Sequence, residues 1–298
     1  MHFRGSRLDE FLQFLFSGLT RGSIYAIVGI GFAIVYNASH VINFAQGEFV
    51  MLGGMAAVVV TTKLGLPLAA AIPIAVALAA LVGMALEKFA IEPARGASVV
   101  AIIIITIGAS IFLRGAVEVL IGKRDYALAS FSGDDPIKIA GATLQPQSLW
   151  VVGALVAIMA GLHWFFGSTR AGKAMLATSH NRLAAQLVGI EVRHVLLASF
   201  ALAAALGALA GILTAPITLT RYDIGIMLGL KGFCAAILGG LGSPYGAVAG
   251  GLALGMAEAM TGGYLSSGYQ DAVAFAIILA VLFVRPQGLF GRAGTERV

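Results

Sequence analysis

Three polar side chains lie close together in apolar sequence near the start of the chain: Asn43, Gln46 and Glu48. A carboxylate at the centre of a bilayer costs at least about 2.5–3.5 kcal/mol on insertion scales, so it needs a cavity, a partner or a proton. Two interpretations follow. These side chains line a translocation path, or they mark a helix break at the membrane surface where Glu48 is solvated or caps a helix.

Other ionisable residues also fall inside apolar sequence. Glu258 is a further candidate for the path, or it lies near the end of a span, because Thr261 and Gly262 follow it. Arg114 and Glu118 stand four residues apart on one helical face, a spacing that favours an ion pair.

The sequence gives no support for catalysis or for a bound cofactor. It contains no H-E-x-x-H or G-x-S-x-G motif, and its histidines lack the spacing of a metal site. Residues 167–173 fit the opening of a nucleotide-binding P-loop, but Ala174 stands where a Ser or Thr hydroxyl should hold magnesium. We therefore expect no catalytic residue, no metal and no cofactor in this chain, and predict that it is not an enzyme.

Composition places the chain in a membrane. Of its 298 residues, 59% are hydrophobic and 11% are charged, whereas soluble domains carry about 25% charged residues. This composition argues against a soluble enzyme or a nucleic-acid-binding protein. The net charge of +5 is expected in loops at a membrane surface. The single cysteine, Cys234, excludes an internal disulfide.

The elements that must position these side chains are transmembrane helices. A helix needs about 20 mostly apolar residues to cross a bilayer. We predict an all-α polytopic membrane protein with about eight transmembrane helices, plus possible re-entrant or broken half-helices. The predicted spans are residues 11–36, 41–62, 64–86, 97–113, 149–167, 195–220, 225–260 and 266–284.

Glycine positions add two expectations. Residues 238–246 interrupt an apolar run with Gly and Ser-Pro, which predicts a broken helix. Pairs of glycines four residues apart predict close helix packing; they are Gly18/Gly22, Gly207/Gly211, Gly242/Gly246, Gly246/Gly250 and Gly251/Gly255.

Loop charge predicts the orientation. Residues 168–194 and the C-terminal tail with Arg285, Arg292 and Arg297 are rich in basic residues and are expected in the cytoplasm, whereas the balanced residues 122–148 suit an outer loop. Inside the basic loop, Leu183, Ala184, Leu187 and Val188 have helical spacing. A short amphipathic helix here either docks into a groove of a partner, which we favour, or lies on lipid headgroups.

Several motifs resemble one family. Residues 18–27, 41–48 (Val-Ile-Asn-Phe-Ala-Gln-Gly-Glu) and 235–243, with the closing residues 285–289, are similar to LivH-type permease subunits of ABC importers for branched-chain amino acids. The resemblance implies a single permease domain over residues 1–298 in the bacterial inner membrane. It also implies a second homologous permease, two cytoplasmic ATPase subunits that use the ATP, and an extracytoplasmic substrate-binding protein, in membrane lipid and without nucleic acid.

The same family implies a cytoplasmic coupling loop, here about residues 168–194, with an E-A-A-x-x-x-G pattern that contacts the ATPase. Residues 183–189 read Leu-Ala-Ala-Gln-Leu-Val-Gly, so Leu183 replaces the acidic residue. The residues assigned to coupling on this basis are Ser179, Asn181, Arg182, Ala184, Ala185, Leu187 and Gly189.

We therefore expect a permease subunit that forms part of the path and docks the ATPase subunits. A zwitterion crossing the membrane needs polar partners, and Asn43, Gln46, Glu48 and Glu258 are the candidates. The alternatives are an ion-coupled secondary amino-acid transporter, an ABC permease for urea or short amides, and a membrane enzyme.

Overall fold

The computed structural model describes residues 3–139 and 141–291. Its helices are α1 (Phe3–Ser39), α2 (Gln46–Thr62), α3 (Leu68–Leu86), α4 (Val99–Leu120), α5 (Pro146–Ser168), α6 (Arg170–His180), α7 (Arg182–Leu187), α8 (Val192–Thr218), α9 (Ile224–Gly239), α10 (Pro244–Tyr264) and α11 (Gln270–Val284). A π-helix (Glu87–Ile91) continues α3, and a 3₁₀ turn (Ser267–Tyr269) precedes α11. Strands β1 (Ile137–Ile139) and β2 (Ala142–Leu144) pair antiparallel.

The prediction of an all-α polytopic membrane protein is confirmed. In the described part of the chain, six helical segments are long and apolar enough to cross a membrane: Leu8–Ser39, Leu68–Ile91, Val99–Leu120, Pro146–Ser168, Val192–Thr218 and Ser267–Val284. They coincide with six of the predicted spans. The other two predicted spans are the short helix α2 and the pair α9–α10, which is bent by 116°. The described residues therefore contain six candidate spans, or up to seven if the bent pair counts as one.

Helix α1 forms the centre of the bundle. Its most apolar window is 89% buried, against α8, α9 and α10. The peripheral helices α4 and α5 are 17% buried and α11 is 11% buried. Their large exposed side chains, such as Ile104 and Phe112 on α4, are unremarkable in a chain whose solvent at that depth is lipid.

Glycine pairs let the central helices touch through their backbones, as their spacing predicts. A Cβ atom on Gly255 of α10 would overlap the backbone of Gly22 on α1, and one on Gly251 would lie against Ala26. Likewise, a Cβ atom on Gly211 of α8 would overlap the Val50 carbonyl of α2. Because glycine has no side chain, the two helix axes approach more closely at these positions.

The predicted break at residues 238–246 is also confirmed. Gly240 and Gly242 have φ values of +98° and +97°, which an L side chain rarely adopts. Ser243 caps α10 by accepting from the Gly246 amide at 3.0 Å. The amide of Asn37, near the end of α1, donates to the Gly242 carbonyl at 2.5 Å, so the break is fixed against α1.

The basic residues 168–194 define what we call the inner end of the bundle, which loop charge predicts to be cytoplasmic. These residues form α6 and α7. Helix α6 is not a predicted element, because its polarity suggested a loop. Thr169 caps α6 by accepting from the Gly172 amide at 3.0 Å.

The tail residues Arg292 and Arg297, whose charges helped to predict the orientation, lie outside the described residues. The β1–β2 hairpin and the bridge between Tyr126 and Thr220 lie at the outer end.

Candidate functional site

The chain between α1 and α2 turns sharply at Asn43. Its side-chain oxygen accepts from the Ala45 amide at 3.0 Å, and only 1% of the residue is exposed. A short side chain that bonds to the backbone two residues further on stabilises a turn. Asn43 therefore fixes the point at which α2 begins.

Gln46, the first residue of α2, fastens this helix to α8. Its Nε2 donates to the Ala203 carbonyl at 2.9 Å, and the side chain is fully buried. A Cβ atom on Gly31 would overlap the Gln46 amide, and one on Gly207 would lie 3.3 Å from it. The two glycines thus provide the space that the glutamine occupies.

Glu48 lies in the first turn of α2 and meets two side chains of α4. Its Oε1 accepts from the Ser110 hydroxyl at 2.7 Å and lies 3.6 Å from Nη2 of Arg114. The Glu48 side chain is 2% exposed, so the interpretation in which it is solvated is wrong. We call Glu48, Ser110 and Arg114 the central contact.

The central contact lies about halfway along α4, one of the candidate spans. At 1.5 Å per residue, Ser110 is about halfway along α4 (Val99–Leu120). The Arg114 guanidinium is held beside it, because Nη2 lies 3.4 Å from the Ser110 hydroxyl. The cation of Arg114 and the hydroxyl donor of Ser110 offset the desolvation cost of burying the Glu48 carboxylate.

The expected pairing of Arg114 with Glu118 is wrong. Glu118 instead pairs with Lys123 at 2.7 Å at the outer end of α4. Four-residue spacing permits a pair within one helix, but the buried carboxylate of Glu48 on the neighbouring helix is the partner of Arg114. The contact of Ser110 with Glu48 gave no signal in the sequence, since a lone serine in an apolar helix is ordinary.

Glu258 belongs to a second cluster, which joins α1, α9, α10 and α11. Its Oε2 accepts from the Tyr25 hydroxyl at 2.7 Å and from Lys231 Nζ at 3.2 Å. Lys231 Nζ also lies 2.7 Å from a carboxylate oxygen of Asp271. We call Tyr25, Lys231, Glu258 and Asp271 the outer ion cluster. A lysine inside the apolar helix α9 is a signal that sequence reasoning missed.

The candidate path residues thus separate into two groups. Asn43, Gln46 and Glu48 gather at the start of α2, and Glu258 does not; within the described residues no hydrogen bond or ion pair joins the two clusters. None of the four lines the 660 Å³ cavity at the inner end, to which Asn37, His163, Ser179 and Tyr245 contribute. Their role in a path therefore stays a prediction.

The predicted short amphipathic helix is confirmed as α7. Asn181 caps it by accepting from the Ala184 amide at 3.0 Å, and Ala185 is the buried residue of this helix. Gly189 ends it with a φ of +86°. The apolar side chains on the other face are largely exposed, including Leu183 (69%), Leu187 (81%) and Val188 (77%). We call residues 179–189 the coupling segment.

The comparisons with known proteins agree along nearly the whole chain. A family model described as "Branched-chain amino acid transport system / permease component" matches residues 14–282. The chain is 38% identical over 304 residues to the high-affinity branched-chain amino acid transport system permease protein LivH of Escherichia coli K12, covering 97% of this chain and 98% of that protein.

Two more distant relatives have related names. The high-affinity branched-chain amino acid transport system permease protein BraD of Pseudomonas aeruginosa is 33% identical, with 97% of this chain and 98% of that protein covered. The probable branched-chain amino acid transport permease protein LivH of Methanocaldococcus jannaschii is 27% identical, with 90% and 89% covered.

Proposed function

Because this chain belongs to the family of permease components of branched-chain amino acid transport systems, we propose that it is the transmembrane permease subunit of an ATP-driven importer. Membership makes it a LivH-type permease, a multi-pass protein of the bacterial inner membrane, in a family of transport components rather than enzymes. Its substrate is a branched-chain amino acid such as leucine, isoleucine or valine, delivered by an extracytoplasmic binding protein.

The observation that carries the proposal is the exposure of a charge at mid-membrane depth. The Arg114 side chain is 26% exposed although its guanidinium lies beside Ser110, halfway along α4. A charged group at this depth faces a protein partner or a water-filled space, because contact with lipid tails is costly. We therefore place the path beside α2 and α4, with a second homologous permease covering the face that carries Arg114.

The central contact has the chemistry to receive a zwitterion. Glu48 and Arg114 are separated by 3.6 Å, beyond a short hydrogen bond. When they separate, the carboxylate can accept from the ammonium group of an amino acid and the guanidinium can donate to its carboxylate. Each substrate charge then replaces the partner that the protein charge has lost, so neither is left unpaired in a medium of low dielectric constant.

An apolar cluster beside the central contact suits a branched aliphatic side chain. Met51 and Met55 of α2 and Val117 of α4 are buried together towards the outer end from Glu48. Methionine side chains adapt their shape to different apolar neighbours. An apolar cluster next to a pair of opposite charges favours an amino acid as substrate. Urea and short amides carry no such pair of charges.

Energy comes from partner subunits that dock at the inner end. The coupling segment presents exposed apolar side chains of α7, between a capped helix start and a glycine with a positive φ. Two cytoplasmic ATPase subunits, one for each permease, would bury this face. Their closure on ATP shifts the permease between inward-open and outward-open states because they contact the two states differently.

Reconstitution in liposomes with separately purified partners tests the proposal. We expect uptake of labelled leucine only when the second permease, the ATPase subunits, the binding protein and ATP are all present. Unlabelled isoleucine and valine should compete, whereas urea and acetamide should not. Uptake by the chain alone under an ion gradient would instead establish a secondary transporter, and competition by short amides would change the substrate class.

A further inference from the structure

The inner end of the bundle holds two polar attachments, one within the coupling segment and one just after it. Nη2 of Arg182 donates to the Ala38 carbonyl at the end of α1 at 2.8 Å. Nε of Arg193, in the first turn of α8, lies 2.8 Å from Oε1 of Glu92, which follows the π-helix. The two arginines therefore attach the same region to two different parts of the chain.

The first attachment leads to Glu48. Ala38 is buried with Val192 and Leu196 of α8, so the end of α1 is packed against the helix that follows the coupling segment. From there, a short non-helical stretch with Asn43 connects directly to α2, whose first turn carries Glu48. Contacts and chain connectivity thus link Arg182 to the carboxylate side of the central contact.

The second attachment leads to Arg114. Glu92 lies 4.0 Å from Arg95, and Arg95 also contacts the buried carboxylate of Glu87 at 2.6 Å. Soon after Arg95 the chain enters α4, a continuous helix that carries Ser110 and Arg114. Ion pairs and chain connectivity thus link Arg193 to the other side of the same contact. We call Glu87, Glu92, Arg95 and Arg193 the inner ion cluster.

The backbone at the inner ion cluster has an unusual conformation. The Glu92 amide donates to the Glu87 carbonyl at 2.7 Å, the five-residue hydrogen bond of a π-helix. Turns of this kind are rare in proteins, and those that do occur are often found at functional sites. Glu87 itself is fully buried, and its second carboxylate oxygen has no partner among the described residues.

We propose that Arg182 and Arg193 are positioning residues that transmit movement of the coupling segment to the two sides of the central contact. Docking of an ATPase subunit displaces α7, and the two attachments draw Glu48 and Arg114 apart so that a zwitterion can enter between them. This inference rests on the proposed function and adds to it the route between the energy source and the path. Both sites then bias one two-state contact, as coupling requires.

Stability alone does not explain the Arg193–Glu92 pair. The Arg193 side chain is 48% exposed and that of Glu92 is 22% exposed. Ion pairs this accessible to water contribute little to folding. Neutralising either residue should therefore leave an inserted and assembled protein, which makes the pair suitable for a functional test.

The test measures how many ATP molecules the complete complex hydrolyses for each leucine that it imports. Arg193→Gln and Glu92→Gln should raise this ratio at least about fivefold, the lower range of ordinary coupling between sites. Arg182→Gln should act in the same direction, and Arg193→Lys should fall between wild type and Arg193→Gln. Co-purification of the ATPase subunits shows that docking is intact in each variant.

An ion pair at the opposite end of α4 provides the matched control. Lys123→Gln removes a charge from the Lys123–Glu118 pair at the outer end and should keep the wild-type ratio. A wild-type ratio in Arg193→Gln, or an equal increase in Lys123→Gln, overturns the inference. If the wild-type complex shows no ATP-dependent uptake of leucine, the proposed function fails first and this inference falls with it.

Discussion

The Glu48 carboxylate on α2 lies 3.6 Å from the Arg114 guanidinium on α4, at the level of Ser110 halfway along that helix. This pair joins a short central helix to a peripheral one that otherwise contacts the bundle through few buried positions. An opposite-charge pair at this depth is stable only while both charges have partners. Once the contact is opened, the charges of a zwitterion could take the place of the lost partners, as the proposed function requires.

Neutralising Glu48 should impair transport, and it should also cost some stability because Arg114 loses its anion. In Glu48→Gln the amide still accepts from Ser110, but the ammonium group of the substrate loses its anion. A hydrogen bond to a charged group is worth about 1.5–3 kcal/mol, so uptake should fall about 10- to 100-fold. Initial rates of leucine uptake in proteoliposomes measure the effect.

The control for Glu48 is Glu118, on the outer part of α4 and paired with Lys123. Glu118→Gln should transport leucine at nearly the wild-type rate. Unchanged uptake kinetics in Glu48→Gln would make the carboxylate a structural element of the α2–α4 contact and remove it from the path.

Local patterns in the sequence predicted the features that depend on neighbouring residues. The break at Gly240 and Gly242 and the helix at residues 182–187 follow from glycine, Ser-Pro and apolar spacing, because turns and amphipathic faces are local properties. The positions of six spans follow from length and hydropathy in the same way.

The partners of the buried charges could not be predicted in the same way. Glu48 meets Ser110 across 62 positions of sequence, and Tyr25 meets Glu258 across 233. Spacing within one helix suggested Glu118 as the ion-pair partner of Arg114. Glu48 is more deeply buried, so its carboxylate gains more from a nearby cation. Helix α6 was missed because its charged residues suggested a loop, and only Gly172, Met175 and Thr178 of this helix are buried.

The close packing of α1 against α10 gives a prediction about stability. A Cβ atom on Gly22 would lie 2.8 Å from the Gly251 carbonyl oxygen and from the Leu252 Cα, both backbone atoms that cannot rotate away. Gly22→Ala should therefore destabilise the protein by about 1–3 kcal/mol, the usual cost of overpacking. Thermal denaturation in detergent, followed by the loss of monodisperse protein, measures the change.

Gly161 on α5 is the matched control, because a Cβ atom there would meet nothing within 4 Å. Gly161→Ala should keep or slightly raise the melting temperature, since alanine is the better helix former. Equal melting temperatures for Gly22→Ala and wild type would show that the backbones of α1 and α10 are not in contact at Gly22.

The outer ion cluster should act as a structural tie between helices. Lys231→Met leaves the fully buried carboxylate of Glu258 without its cation, and loss of one partner of a buried pair costs about 3–5 kcal/mol. The double variant Lys231→Met/Glu258→Gln removes both charges and should be more stable than Lys231→Met alone. Denaturation midpoints of the two single variants and the double variant give the coupling energy.

Lys63, exposed at the end of α2, is the control for the loss of a lysine charge. Lys63→Met should denature at the wild-type midpoint. If the double variant is as unstable as the sum of the two single ones, Lys231 and Glu258 do not depend on each other and the tie is absent.

Gly189 should be required for the shape of the coupling segment rather than for space. Its φ is +86°, and a Cβ atom there would meet nothing within 4 Å. Gly189→Ala strains the backbone by about 1–2 kcal/mol and should weaken ATPase docking, while Gly189→Arg adds a bulky charge to the apolar face of α7 and should abolish it.

Gly65 is the control, with a φ of +66° and equally open surroundings in the loop between α2 and α3. Gly65→Ala introduces the same backbone strain away from the inner end. Co-purification of the ATPase subunits and leucine uptake should therefore be lost in Gly189→Arg and retained in Gly65→Ala. Normal docking and transport by Gly189→Arg would exclude this end of α7 from the ATPase interface.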